Sequence, residues 1–393
     1  LWGTPPLVDR VLKNSEEYKV PNSTAEQLWK FMETDLTEAI TSGKLTSKTS
    51  LEDRDGGTRA TLEAARCLLG KIYLYQEKYA DAKSELEKVI SSGKYDLIAD
   101  VSTFYHPASA GCKEYVLECV RHYDPSNMYS QEGWFGILAN WGFGYGFIAG
   151  PEASMHYKFN TTSGYSYFNP SKSLYDAFVA EEGADGYRLN AWIRTWEQVI
   201  AMNIAVNTTT NKYASEGYFR LKWLASTDDE FVGYWCGNQS NTPVIRYADV
   251  LLMAAEACLQ AGDQAGADEY LGRVRDRARL PRKSHVTLSD IKLERRLELA
   301  MEGMRFQDLK RWGDAPAVLA DKGKKLPTFQ IVPDPNNDLT TAAGIYNARY
   351  TTKTTYVDNE KSLAGWTPNR DEWLPFPENE LEVNSNLKQK PGY

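Results

Sequence analysis

The chain has 393 residues, 42% hydrophobic and 25% charged, enough to bury a large core and inconsistent with a disordered polymer. Its 45 Lys and Arg against 53 Asp and Glu leave a net charge of -8, and the cations form no basic stripe, which argues against nucleic acid or an anionic membrane surface as its partner. The unusual figure is the 12% aromatic content, with 24 Tyr and 11 Trp; such rings carry polar tips that want water or a partner, so they serve either as amphipathic filler or as a binding surface.

Residues 1–22 read as loop, with Pro5, Pro6 and Pro21. A helix opens after Asn22-Ser23-Thr24-Ala25-Glu26, where Ser23 and Glu26 stand at capping-box spacing. Leu28, Met32, Leu36 and Ile40 follow on one face, and Gly43 marks the stop. Beyond a polar loop over 44–58, two helices span roughly 59–76 and 78–91. Leu69, Gly70, Tyr73, Ala82, Leu86 and Val89 fall on the positions of a tetratricopeptide helix pair, with the small Gly70 and Ala82 allowing close approach. A second unit over roughly 244–279 places Ala254, Ala255, Ala267, Leu271 and Val274 likewise, with Gly262 in the turn. Isolated repeats cannot bury their faces, so the two units are expected to meet in space, with 93–240 as an excursion between them.

Within the excursion, Tyr115 to Val120 reads as a buried strand and Ser173 to Glu181 as a short helix. Residues 123–172 are rich in Gly, Ser, Asn and aromatics without helical period, and the remainder to about 240 reads as loop with short strands. A final helix starts near Leu288, with Thr287 and Asp290 at capping-box spacing, and runs to Trp312. Residues 313–393 are loop-rich and punctuated by Pro316, Pro327, Pro333, Pro335, Pro368, Pro375, Pro377 and Pro391; so long an irregular tail has to pack on something large.

Catalytic and metal signatures are missing. Cys67, Cys112, Cys119, Cys236 and Cys258 contain no CxxC, and Cys67 and Cys258 fall in apolar helical stretches as small core residues. His106, His122, His156 and His285 show no HExxH or paired spacing, and no GxSxG elbow occurs. Gly142-Phe143-Gly144-Tyr145-Gly146-Phe147 lacks the spacing and helix start of a phosphate loop and reads as an irregular loop displaying rings. We expect no catalytic residues, no metal ligands and no cofactor. No apolar run reaches the roughly 18 residues of a membrane-spanning helix. The chain begins Leu1-Trp2-Gly3-Thr4 without Met, signal peptide or lipid-bearing Cys, so any anchor is expected upstream.

Charge crowds the segment from Glu294 to Trp312. Arg295 and Glu298, Glu302 and Arg305, and Arg305 and Asp308 stand as opposite pairs at i,i+3. Carboxylates for acid–base work on a sugar would have to face each other across a cleft. Ranged along one helix face, they read instead as an ion-pair network tying this helix to the repeats.

Three stretches carry a family resemblance. Val244-Ile245-Arg246-Tyr247-Ala248-Asp249-Val250-Leu251-Leu252-Met253-Ala254-Ala255-Glu256-Ala257 resembles the "RYAEVLLMYAEA" helix of SusD/RagB proteins. The run from Glu294-Arg295-Arg296-Leu297-Glu298-Leu299 through Glu302-Gly303-Met304-Arg305 to Asp308-Leu309-Lys310-Arg311-Trp312-Gly313 is similar to the family's "ERRxELxxEGxRxxDLxRWG". Leu374-Pro375-Phe376-Pro377 through Glu380, Asn384 and Asn386 to Gln389-Lys390-Pro391-Gly392-Tyr393 resembles "LPIPxxExxxNPxLxQNPGY", with Ser385 and Lys390 as departures. Trp2-Gly3-Thr4-Pro5-Pro6-Leu7-Val8 is similar to "YGxVPLV". The resemblance implies a mainly α, SusD-like fold in which tetratricopeptide-type helix pairs form a scaffold bearing a large loop-rich, aromatic-rich insertion and minor β. Residues 1–95 would be the remainder of an N-terminal helical region, and 96–393 the RagB/SusD domain. That domain would divide into a ligand-side region over 96–240, a helical scaffold over 241–312 and a loop-rich tail over 313–393.

The resemblance further implies a non-enzymatic, lipid-anchored protein on the extracellular face of the outer membrane. It would bind a glycan or oligosaccharide and deliver it to a SusC-like TonB-dependent transporter. A peptide-capturing member of the family is the alternative; a cytoplasmic tetratricopeptide scaffold or a glycoside hydrolase fits less well. A sugar presents an apolar C–H face and a rim of hydroxyls, which flat rings and Asn or Arg side chains match. The stacking candidates are therefore Trp134, Trp141, Tyr145, Tyr157, Tyr165 and Tyr167, in Gly/Ser-rich sequence, with Asn140, Asn160 and Arg194 as polar partners. Trp192, Trp196, Trp223 and Trp235 are weaker candidates.

Overall fold

The computed structural model describes residues 2–120, 169–195, 216–222 and 241–393 apart from 339, 342, 345, 346, 348 and 361–363, together with 147–148, 197, 198, 205–206 and 212–213. Helices dominate among the described residues, and two helix pairs form the scaffold. Helix α1 (Ala25–Thr41) is capped by Thr24, whose hydroxyl accepts from the Gln27 N–H while the Gln27 side chain accepts from the Thr24 N–H. The capping box thus lies one residue later than Ser23 and Glu26, because the Ser23 N–H is tied to the Pro5 carbonyl at 3.2 Å and held outside the helix.

Helices α2 (Leu62–Tyr75) and α3 (Tyr79–Ser91) form the first pair. A Cβ on Gly70 would lie 2.8 Å from Leu86 Cγ, so the seam closes because position 70 lacks a side chain. Strand β1 (Tyr115–Cys119) and the two-residue β2 (Phe147–Ile148) follow, then α4 (Lys172–Glu182), α5 (Tyr187–Trp192), β3 (Ile193–Thr195), β4 (Ala205–Val206), β5 (Lys212–Tyr213), β6 (Tyr218–Arg220) and β7 (Thr242–Arg246). Residues 244–246 therefore belong to a strand, and the second helix pair begins only at Tyr247. The β-branched Val244-Ile245 pairs with β1, Tyr115 opposite Arg246 and Cys119 opposite Thr242. Helices α6 (Tyr247–Gln260) and α7 (Gln264–Arg277) complete the pair.

Helix α6 is buried on nearly every side. Around it, Ala64, Leu74, Leu86 and Val89 of the first pair share one core with Val250, Leu251, Ala254, Leu271 and Val274 of the second. The two distant helix pairs thus meet, as burial of their faces requires. A second core joins Phe104, Phe178, Leu189, Trp192 and Ile193 to Leu297 and Ala300.

The final helix is not continuous to Trp312. Helix α8 (Leu288–Glu298) starts at the Thr287–Asp290 capping box. The chain then turns, with Met301 at φ 64° and Gly303 at φ 77°, before α9 (Arg305–Arg311) and the single turn α10 (Ala315–Val318). The break has a cause. The Lys222 ammonium donates to the carbonyls of Glu298 and Ala300 at 3.0 and 3.1 Å, and Arg246 donates to the Glu298 carbonyl at 3.1 Å. Carbonyls that a helix would have used are capped by buried cations.

The tail holds an element that its prolines obscure: a hairpin of β8 (Lys325–Pro333) and β9 (Tyr350–Asp358), extending a sheet ordered β5-β8-β9. Backbone bonds from Asn359 N–H to the Lys324 carbonyl and from Asp334 N–H to the Arg349 carbonyl set its phase, so even-numbered β8 residues bond towards β9. Pro327 and Pro333 are odd-numbered, and the N–H each lacks would point away from β9. A short helix, α11 (Glu378–Val383), closes the tail. The tail is laced to the N-terminal segment: Asn22 and Lys388 exchange two bonds, Asn384 and Asn386 donate to the carbonyls of Val20 and Lys19, and Lys390 donates to the Thr4 hydroxyl at 2.6 Å.

Gly217 joins the hairpin to the rest of the molecule. It adopts φ 88°, and a Cβ there would fall 2.5 Å from the Phe329 ring. Gly217→Ala adds left-handed strain and a ring clash, and is expected to lower unfolding free energy by about 1–3 kcal/mol in urea titration. An unchanged midpoint would show that the hairpin does not depend on this contact.

Candidate functional site

Cys119 at the end of β1 pairs with Thr242 at the start of β7, so a two-stranded neck holds the two ends of the 120–241 segment side by side. Asn241 ties the neck further, donating to Glu118 Oε2 at 3.0 Å, and the other Glu118 oxygen accepts from the Gly111 N–H at 2.9 Å.

A buried ion network underlies this neck. Glu298 is fully buried and accepts from Arg188, Arg246 and Arg277 at 3.0, 3.0 and 2.5 Å. Arg246 also reaches Glu114 at 2.6 Å and Glu302 at 2.7 Å, and Arg188 reaches Glu182 at 2.7 Å and Glu294 at 2.5 Å. Burial works to raise the Glu298 carboxyl, but the three guanidiniums overcome it and hold the carboxyl well below its ordinary range. Further out, Arg295 bridges Asp249 and Asp308 at 2.7 and 2.9 Å, and Arg311 pairs with Glu256. The network joins α8 to β1, α5, β7, α6 and α7. Most of its pairs join different elements: Arg295, Glu298 and Glu302 take partners far from their i,i+3 neighbours, because planar guanidiniums reach two carboxylates at once. Glu294, Glu298 and Glu302 therefore serve as counterions inside the protein and do not face each other across a cleft.

Lys222 is the peg that fixes the end of the β6 segment. Its side chain is fully buried. The ammonium donates to Glu302 Oε1 at 2.6 Å and lies 3.8 Å from the Trp192 ring centroid. Burial pushes this amine down to about 8. Sequence reasoning missed Lys222; the available signal was a lone Lys between Leu221 and Trp223.

The sequence-predicted ligand residues Trp134, Trp141, Tyr145, Tyr157, Tyr165, Tyr167, Asn140 and Asn160 lie outside the described residues, as do Trp196, Trp223 and Trp235. Arg194 is on β3, half-buried, and its guanidinium donates to the carbonyls of Asn190 and Ile193. Trp192 is a core residue: it is 1% exposed and its indole N–H donates to the Val101 carbonyl at 3.1 Å.

Among the described residues, one set of donors has metal-like proximity: Glu87, Cys258 and Asp263. Lys83 already supplies the cation, 2.6 Å from Asp263 and 4.0 Å from Glu87. The other Asp263 oxygen caps α7 through the Gly266 N–H. Burial pushes the Cys258 thiol up to about 12, so it is protonated at neutral pH and a poor ligand.

A sequence model described as the SusD family matches residues 113–393. The chain belongs to the SusD family. Over 422 aligned residues this SusD-family chain is 24% identical to a SusD-like protein of Bacteroides ovatus, covering all of this chain and 71% of the relative. Among solved structures, it is similar to a laminarin-binding SusD-like protein, with 27% identity and a TM-score of 0.75 over all of this chain and 74% of the other. It also shares its fold with surface glycan-binding protein A from Bacteroides thetaiotaomicron in complex with laminarihexaose, at 23% identity and a TM-score of 0.68 over 99% of this chain and 73% of the other. No described helix of this SusD-family chain is long and apolar enough to cross a membrane.

Proposed function

We propose that this protein captures a glycan at the bacterial outer-membrane surface without chemically altering it, and passes it to a SusC-like TonB-dependent transporter. In this reading it is held on the extracellular face by a lipid anchor. Residues 1–95 and 241–312 form a rigid bed, 96–240 face the ligand, and 313–393 lace the bed together. The observation that carries the proposal is the likeness, along the whole chain, to a laminarin-binding SusD-like protein. The non-enzymatic part is supported by Glu294, Glu298 and Glu302, each held by buried cations. The aromatic candidates Trp134, Trp141, Tyr145, Tyr157, Tyr165 and Tyr167 would stack on sugar faces, with Asn140, Asn160 and Arg194 as polar partners.

Isothermal titration with laminarihexaose, maltohexaose, xylohexaose and a mixed oligopeptide pool tests this reading. Saturable heat with one hexaose, recovered intact by chromatography afterwards, is the expected result. Heat with peptides alone would move the protein to nutrient-peptide capture, and shortened sugars would make it a hydrolase.

A further inference from the structure

The Glu216 carboxylate, just before β6, ties β9 to the start of α4 beside a stacked pair of tyrosines. Tyr175 of α4 and Tyr218 of β6 stack with ring centroids 4.6 Å apart and planes 27° apart. Tyr356 of β9 is 49% exposed, and its hydroxyl donates to Glu216 Oε1, two residues before Tyr218, at 2.6 Å. The other Glu216 oxygen accepts from the Lys172 N–H at 2.6 Å. The Lys172 ammonium in turn holds Asp176 at 2.6 Å, with both side chains more than half exposed.

Tyr175 and Tyr218 are partly buried and pack against the second core, whereas Tyr356 stands half exposed at the surface. The interior contact between hairpin and β6 is made by Phe219 and Phe329, which meet edge to face at 6.5 Å and are 4% and 3% exposed. The tyrosines lie outside that contact. The carboxylate fixes the Tyr356 ring in place, so a ligand meets a surface whose rotamer entropy is already spent.

We propose that Tyr175, Tyr218 and Tyr356, with Glu216, Asp176 and Lys172, form a second platform that takes one or two pyranose rings of a neutral polysaccharide, separate from the loop residues named above. The inference rests on the glycan-capture reading for its ligand class. The exposed Tyr356 face covers the apolar C–H side of a sugar, while Asp176 and Glu216 accept from ring hydroxyls and Lys172 donates to them. Two carboxylates against one ammonium repel uronate or sulfate groups, which makes the ligand neutral. A platform of this size binds a single sugar weakly. Its effect comes when a long chain spans it and the principal site together, so that the second contact becomes intramolecular.

Affinity electrophoresis through gels holding laminarin, starch or xylan, beside titration with the corresponding hexaoses, tests the platform. For the polysaccharide that retards wild type, Tyr356→Ala is expected to weaken binding about 3–10-fold, the loss of one ring–sugar contact. Affinity for the hexaose should stay within about 2-fold, because a short ligand occupies the principal site alone. Asp176→Ala, at an exposed position, should weaken polymer binding in the same direction. Polymer binding equal to wild type in both variants, with unchanged melting temperatures, would overturn the platform while leaving glycan capture intact. A wild-type protein that no gel retards and no hexaose titrates would instead remove glycan capture, and the platform with it.

Discussion

Replacing Glu298 by Gln is expected to lower the unfolding free energy by about 3–5 kcal/mol. The carboxylate sits at zero exposure among Arg188, Arg246 and Arg277. A neutral amide of the same shape keeps the packing but strands three desolvated guanidiniums with one counterion fewer. Breaking a buried pair from one side costs about 3–5 kcal/mol, and here three pairs share the lost partner. Total stability of a folded domain is only about 5–15 kcal/mol, so the loss consumes a large share of it. Urea titration followed by circular dichroism measures the effect, and a loss below about 1 kcal/mol would show that the network is not what ties α8 to β7 and α7. The same carboxylate sets an acid limit. Its folded value lies below its unfolded value of about 4.3. Its contribution is therefore present above that value and is lost as the pH falls below it. Glu298→Gln should flatten the acid limb of the stability profile.

The second large effect is expected at Lys222. Lys222→Met fills the same volume but removes the bonds to Glu302, the Glu298 carbonyl and the Ala300 carbonyl, leaving a buried carboxylate and two carbonyls short of a donor. The expected cost is about 2–4 kcal/mol. Because the lysine pins the β6 segment to the turn between α8 and α9, glycan affinity should fall together with stability. The pH dependence distinguishes this from simple repacking. Lys222 releases its proton near 8 when folded and near 10.4 when unfolded. Between those values the unfolded chain binds more protons, so this group makes stability rise with pH by up to about 1.4 kcal/mol per unit. Lys222→Met should lose that upward slope. Parallel profiles for wild type and variant from pH 8 to 10 would mean that the ammonium is not desolvated as described.

Much of the helical scaffold is legible in the sequence. The α2–α3 seam could be read from Gly70, Ala82 and Leu86, and the start of α8 from Thr287 and Asp290. These signals are local: a cap, a 3.6-residue period and a small residue at a crossing depend on neighbours a few positions away. The strand over 115–119 was legible for the same reason, as a short apolar run.

The start of α1 was misplaced by one residue, because Ser23 is claimed by Pro5 from outside the helix. The hairpin over 325–358 was hidden by Pro327 and Pro333. Their tolerance depends on which way each missing N–H points, and that is fixed only when β9 arrives.

The charged run over 294–312 shows the division most sharply. Its residues announced an ion network and, with the motifs over 244–257 and 374–393, the SusD family. The partners could not be read, since Arg246, Arg277, Arg188 and Lys222 come from elements far apart in the chain and meet Glu298 and Glu302 only when the excursion returns to the scaffold. Sequence determined which segments are helical and which residues must be neutralised once buried, because those follow from composition and period. The folded molecule decided which cation answers which carboxylate, and where the last helix breaks, because a desolvated charge takes whatever partner three-dimensional packing brings within reach.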